Sequence, residues 1–161
     1  MPEEPEAAAP EIRYLTHEHI LLVHEQVLVI RNGIPEDPTI LEPSLVASVP
    51  IAPQTAYFGE EQYPGLFVKA AVMLRSLAGA QLFVTGNKRT GWEVVRVFLG
   101  WNGYRMAVVT SKGEYVARKE SIGRLLDQIG GQEITDIHEI ARKLRLYFEP
   151  GRPARGRYRQ D

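Results

Sequence analysis

Gly86, Asn87, Lys88, Arg89 and Thr90 form one unbroken run, preceded by Phe83-Val84-Thr85 and followed by Gly91-Trp92. A Gly-Asn pair turns the chain, and two adjacent cations and a hydroxyl follow. Backbone amides, a Lys point charge and an Arg fork are the groups that hold an oxyanion. Together they suit a di- or triphosphate, whose charge they would stabilise while holding its phosphates in line. The run is not a P-loop, because Asn87 separates Gly86 from Lys88 and Gly79 is at the wrong spacing. The alternative is structural: Gly86-Asn87 as a plain turn and Lys88-Arg89 as a solvated first helical turn.

The element behind this run is a helix predicted over 88–101, with Trp92, Val94, Val95, Val97, Phe98, Leu99 and Trp101 apolar and Asn102-Gly103 as its exit. Helix N-termini present unpaired N–H groups and partial positive charge. Lys88 and Arg89 oppose that macrodipole, a choice that makes sense if an anion neutralises them. Trp92 and Trp101 read as core, with Glu93 and Arg96 as polar exceptions.

The chain has 161 residues, a net charge of −1 and no cysteine. One domain with a real core is expected. The charge balance argues against a generally basic nucleic-acid binder. Disulfides and thiolate metal sites are excluded, which suits a cytoplasmic setting. No apolar run approaches the ~20 residues of a membrane span, and the acidic, Pro/Ala-rich start is unlike a secretory signal.

In order, residues 1–11 read as a disordered acidic tail. Thr16 is expected to cap a helix over 16–31, with Asn32-Gly33 as its exit. His17, His19 and His24 fall at spacings that do not converge on a metal, and Leu21 and Leu28 stand where HExxH would need its second His. Asp37-Pro38 reads as a helix start, with Pro43 inside the first turns, and 49–62 reads as a loop. A central helix is expected over 64–79, with Pro64 near its first position. An extended segment lies within 104–109 and a turn at Ser111-Lys112-Gly113. A helix over 119–129 closes at Gly130-Gly131. A last helix is capped by Thr135 or Asp136, with Ile137, Ile140, Ala141, Leu144 and Phe148 inward. Residues 150–161 form a flexible tail whose Arg152, Arg155, Arg157 and Arg159 are the chain's only plausible, weak nucleic-acid contact. The expected fold is all-α: about six helices in one compact bundle over 12–149.

Phe83, Gly86, Asn87, Lys88, Arg89 and Thr90 resemble the core motif of the Fic/Doc family, in its death-on-curing toxin branch. The opening Tyr14-Leu15-Thr16 and the His24-Glu25 pair on the first helix are similar to Doc proteins as well. The resemblance implies a helical domain with a buried helix behind the motif. It also implies transfer of a phosphate or nucleotidyl group from ATP, with Mg2+, to a protein hydroxyl such as one on a translation factor. By that match Asn87, Lys88, Arg89 and Thr90 would bind phosphate, Gly86 would admit it to the backbone, and Phe83 would anchor the loop. A small antitoxin would be the neutralising partner, and residues 49–62 would form a flap that holds the target peptide.

Two positions depart from that motif. Gln81 stands where the family has its proton-accepting His, and an amide has no useful basicity; losing a general base costs ~10²–10⁴-fold. Thr85 stands where the family usually has an acid, and a hydroxyl holds Mg2+ more weakly than a carboxylate. Three readings follow: a Doc-like protein that keeps the nucleotide site but is catalytically weakened, an active transferase, or a non-enzymatic helical interaction module.

Overall fold

The computed structural model describes residues 10–151. The tails expected over 1–11 and 150–161, with Arg152, Arg155, Arg157 and Arg159, lie outside those residues except for their inner edges. Six α-helices carry the fold: α1 (His17–Val27), α2 (Pro43–Ser48), α3 (Leu66–Gly79), α4 (Asn87–Trp101), α5 (Lys112–Gly130) and α6 (Ile137–Arg145). Three short antiparallel strand pairs join them: β1 (Ile30–Arg31) with β2 (Ile34–Pro35), β3 (Ala56–Tyr57) with β4 (Glu60–Glu61), and β5 (Tyr104–Met106) with β6 (Phe148–Pro150). The fold is mostly helical, as expected.

The core lies around α3 and α4. Ala70, Met73, Leu74 and Leu77 of α3 and Val94, Val95, Phe98 and Leu99 of α4 are buried against each other, and α6 adds Ile140 and Leu144. Small residues let α3 and α4 approach closely: a Cβ added at Gly91 would sit 3.1 Å from Leu74 Cδ1 and 3.2 Å from Leu77 Cβ. α1 crosses the other side of α4 through Ile20 and Val23. Trp101 is buried and Trp92 half-buried, its ring against Tyr147 and Phe148.

Several local expectations are corrected. The first helix stops at Val27, and Asn32-Gly33 is the turn of the β1–β2 hairpin, not a helix exit. Both residues have positive φ (52° and 76°), as such hairpin turns require. Asp37 starts no helix. Its Oδ1 accepts from the Thr39 amide at 2.8 Å, and the chain continues extended so that Ile40 bridges Phe83; helix α2 begins only at Pro43. Pro64 precedes α3, which follows a positive-φ Gly65. The 49–62 connection contains a 3-10 turn, Ala52–Gln54, and the β3–β4 hairpin turning at Phe58-Gly59. Ser111 opens no turn. It caps α5 by accepting from Glu114 N, so α5 starts at Lys112 rather than 119. Phe148 is buried as expected, but in β6 rather than in the last helix. Thr16, Asp136, Asn102-Gly103 and Gly130-Gly131 act as the caps expected of them.

Candidate functional site

The turn at 81–90 is built between distant parts of the chain. Ala80 ends α3 and Gln81 is exposed beside it. Leu82 and Phe83 then turn inward and are buried. The Leu82 carbonyl accepts from the Leu41 and Glu42 amides at 2.8 and 3.2 Å, and Val84 N donates to Thr39 O at 3.1 Å. These bonds hold residues 82–84 against the 39–42 segment as a short antiparallel bridge. Phe83 is fully buried at this bridge and stacked on His24.

Asn87 closes the turn. Its Oδ1 accepts from Phe83 N at 3.0 Å and its Nδ2 donates to Phe83 O at 2.9 Å. The Asn87 side chain is therefore occupied within the loop. Gly86, at φ 80°, swings the chain into α4 and brings no side-chain cap. The amides of Asn87, Lys88 and Arg89 thus begin the helix without an intrahelical acceptor, while Thr90 N reaches Gly86 O at 2.8 Å. Thr90 is buried, and its Oγ1 has no hydrogen-bond partner among the described residues.

The two cations leave this helix start toward different neighbours. Lys88 Nζ donates to Asp127 Oδ1 at 2.8 Å, near the end of α5, and its stem runs over Gly130, where an added Cβ would meet Lys88 Cε at 2.8 Å. Arg89 turns the other way. Its Nη1 donates to Val27 O at 2.7 Å, at the C-terminus of α1, and its Nη2 reaches both carboxylate oxygens of Glu36 at 2.9 Å. Glu36 also accepts from Val29 N, and that amide, then Arg89 and Arg31, hold its carboxyl below the ordinary glutamate range against the opposing effect of burial. The structure therefore brings Gly86, Asn87, Lys88, Arg89 and Thr90 to one helix start, but each cation there meets a protein carboxylate.

His24 sits beneath the turn, its Nε2 3.1 Å from Thr85 O. Burial pushes its pKa down, helped by Arg89 and opposed by the Thr85 hydrogen bond and Glu36, so the ring is neutral near pH 7. His19 instead caps α1 with Thr16 and meets the edge of Trp101. Among the described residues, no three His, Cys, Asp or Glu side chains gather as a metal site, and no helix is long and apolar enough to cross a membrane. Glu93 pairs with Arg96 on the surface of α4.

Three charged residues with fixed partners escaped the sequence reading. Glu36 and Asp127 are 53 and 39 positions from the cations they pair with, and no local pattern links them. Lys69 is fully buried on α3, its Nζ bonded to Pro53 O, Tyr63 O and Glu61 Oε1. A lysine inside the apolar stripe of α3 was the visible signal. A groove of about 580 Å³ lined by Ile12, Arg13, Leu66, Trp101 and Tyr104 lies at the other end of α4 from the turn.

Residues 14–99, just over half of the chain, match the family model described as the Fic/DOC family. A stretch of 55 residues is 46% identical to the protein named Toxin Doc of Mycolicibacterium smegmatis; it is 34% of this chain and 42% of that protein's length. The match thus spans less than half of that relative.

Proposed function

The chain belongs to the Fic/Doc family, and from that premise we propose that it is a Doc-like protein that binds ATP or another nucleotide with Mg2+ at the 81–90 turn but transfers its phosphate slowly or not at all. One observation carries the reading. Gly86 leaves the first turn of α4 uncapped between two cations, whereas position 81, exposed at the mouth of the same turn, holds an amide. The backbone amides of Gly86, Asn87, Lys88 and Arg89, the Lys88 ammonium and the Arg89 fork would receive the phosphates. Lys88 and Arg89 would exchange Asp127 and Glu36 for phosphate oxygens. A protein hydroxyl attacking the terminal phosphorus has to lose its proton, and Gln81 cannot accept it. Thr85 offers Mg2+ no carboxylate. A protein substrate such as a translation factor, a small antitoxin and a cytoplasmic setting are part of the same proposal.

The pairing of both cations with carboxylates favours a second reading, a helical interaction module in which the turn is structural. Calorimetric titration with MgATP separates the two. Heat at micromolar to millimolar ligand, lost in Arg89→Ala, supports the nucleotide site; silence at millimolar MgATP supports the module. Transfer of labelled terminal phosphate to proteins of a cell lysate then tests the weakened chemistry. No transfer by the wild type and measurable transfer by Gln81→His is the expected result. Robust wild-type transfer lost in Arg89→Ala would show an active transferase instead.

A further inference from the structure

His24 is spent on one contact that the chemistry above leaves unexplained. Its ring lies flat on Phe83, centroids 3.8 Å apart and planes at 10°, and it is 97% shielded from solvent. Nε2 is 3.1 Å from the Thr85 carbonyl oxygen. A carbonyl only accepts, so Nε2 carries the proton and Nδ1 the lone pair. The ring also borders the next residue: a Cβ added at Gly86 would lie 3.7 Å from His24 Cδ2. Other bonds hold the rest of the turn. The 39–42 segment fixes residues 82–84, and the Asn87 side chain fixes Phe83. None of these bonds reaches the peptide between Thr85 and Gly86.

That peptide is planar and trans, so its C=O and N–H point in opposite directions. With the carbonyl drawn inward to His24, the Gly86 N–H points away from α1. Without the His24 donor, the peptide is free to rotate as a unit, changing ψ of Thr85 and φ of Gly86. Glycine tolerates both resulting conformations, so the rotation is cheap at this position. The rotated peptide would present an oxygen, partially negative, where an N–H had been. We propose that His24 is a positioning residue for the anion-binding turn: its Nε2–H holds the Thr85–Gly86 peptide in the orientation that presents an amide rather than a carbonyl to the anion. This rests on the nucleotide-site reading above, and it assigns His24 no part in proton transfer.

The test uses the full chain, nitrogen-15 and carbon-13 labelled, with inorganic pyrophosphate as the probe. In the wild type the His24 ring nitrogens should show the Nε2–H tautomer; an Nδ1–H tautomer overturns the proposal whatever the variants do. His24→Phe keeps a flat ring for Phe83 but has no donor, and His24→Gln restores an N–H near the position of Nε2. His24→Phe should displace the Thr85 carbonyl and Gly86 amide resonances and weaken pyrophosphate by about tenfold, the worth of one good hydrogen bond, while His24→Gln recovers most of it. Equal weakening in both variants, or wild-type affinity in His24→Phe, overturns the positioning role. If His24→Phe does not fold, His24→Gln and the tautomer measurement still decide it. If the wild type ignores pyrophosphate, the nucleotide-site reading fails. The Thr85 and Gly86 resonances then report separately on whether His24 orients the peptide: unmoved in His24→Phe, they overturn it.

Discussion

Replacing Lys69 with Met tests what holds the β3–β4 hairpin on the helical core. The Lys69 ammonium has three protons and donates all of them: to Pro53 O at 3.1 Å, Tyr63 O at 2.8 Å and Glu61 Oε1 at 3.0 Å. Pro53 and Tyr63 flank the hairpin and Glu61 lies on it, so one buried charge ties together the base of the loop. Methionine keeps the length of the stem and can donate nothing. Two carbonyls lose their partner at about 1–3 kcal/mol each, partly offset because an ammonium no longer has to be desolvated, so a net loss of about 2–4 kcal/mol is expected. Glu61 adds little to that sum, since its side chain is 57% exposed and regains water. With a mid-range urea slope of about 2 kcal/mol/M, the unfolding midpoint should fall by about 1–2 M. Amide exchange should also speed up at Gln62, whose N–H is bonded to Thr55 O across the hairpin. Glu61→Gln, by contrast, should move the midpoint little. A Lys69→Met protein with wild-type stability and unchanged hairpin protection would refute the argument that this ammonium fastens the loop.

The close approach of α3 and α4 predicts that Gly91→Val costs about 1–3 kcal/mol through overpacking, read as a lower thermal midpoint; Gly91→Ala should cost less, since it adds only one carbon against Leu74 Cδ1 and Leu77 Cβ and alanine favours the helix. Glu36 has a carboxyl held below the ordinary glutamate value of 4.5, first by the Val29 amide. Its stabilising contribution is therefore complete above pH 4.5 and lost as pH falls through the lowered value, and Glu36→Gln should flatten the acid limb of the stability profile. Because Glu36 occupies the Arg89 fork, the same variant should bind pyrophosphate more tightly than wild type in a calorimetric titration, with weaker binding as the contrary result.

Much of this protein was legible from local chemistry. Helix α4 announced itself by an apolar face and by Asn102-Gly103 at its end, and Thr16 and Asp136 capped the helices they preceded. The run Gly86–Thr90 and its Phe83 anchor carried the family resemblance, now matched over residues 14–99. The errors share one physical origin. Asn32-Gly33 supplies positive φ, which a helix exit and a hairpin turn both need, so residue type alone did not say which element would use it. Asp37 accepts from an amide two positions on, the same bond at a helix start or in an isolated turn. What decided against a helix there was Ile40 pairing with Phe83, 43 positions away. The site divides the same way. The groups proposed to meet an anion stand on five consecutive residues. The directions of Lys88 and Arg89 depend on Asp127, Glu36 and the Val27 carbonyl, which reach the turn only because α1, the β1–β2 hairpin and α5 pack around the start of α4. A carboxylate's effect on a cation falls with distance in space, not along the chain, and only folding sets that distance.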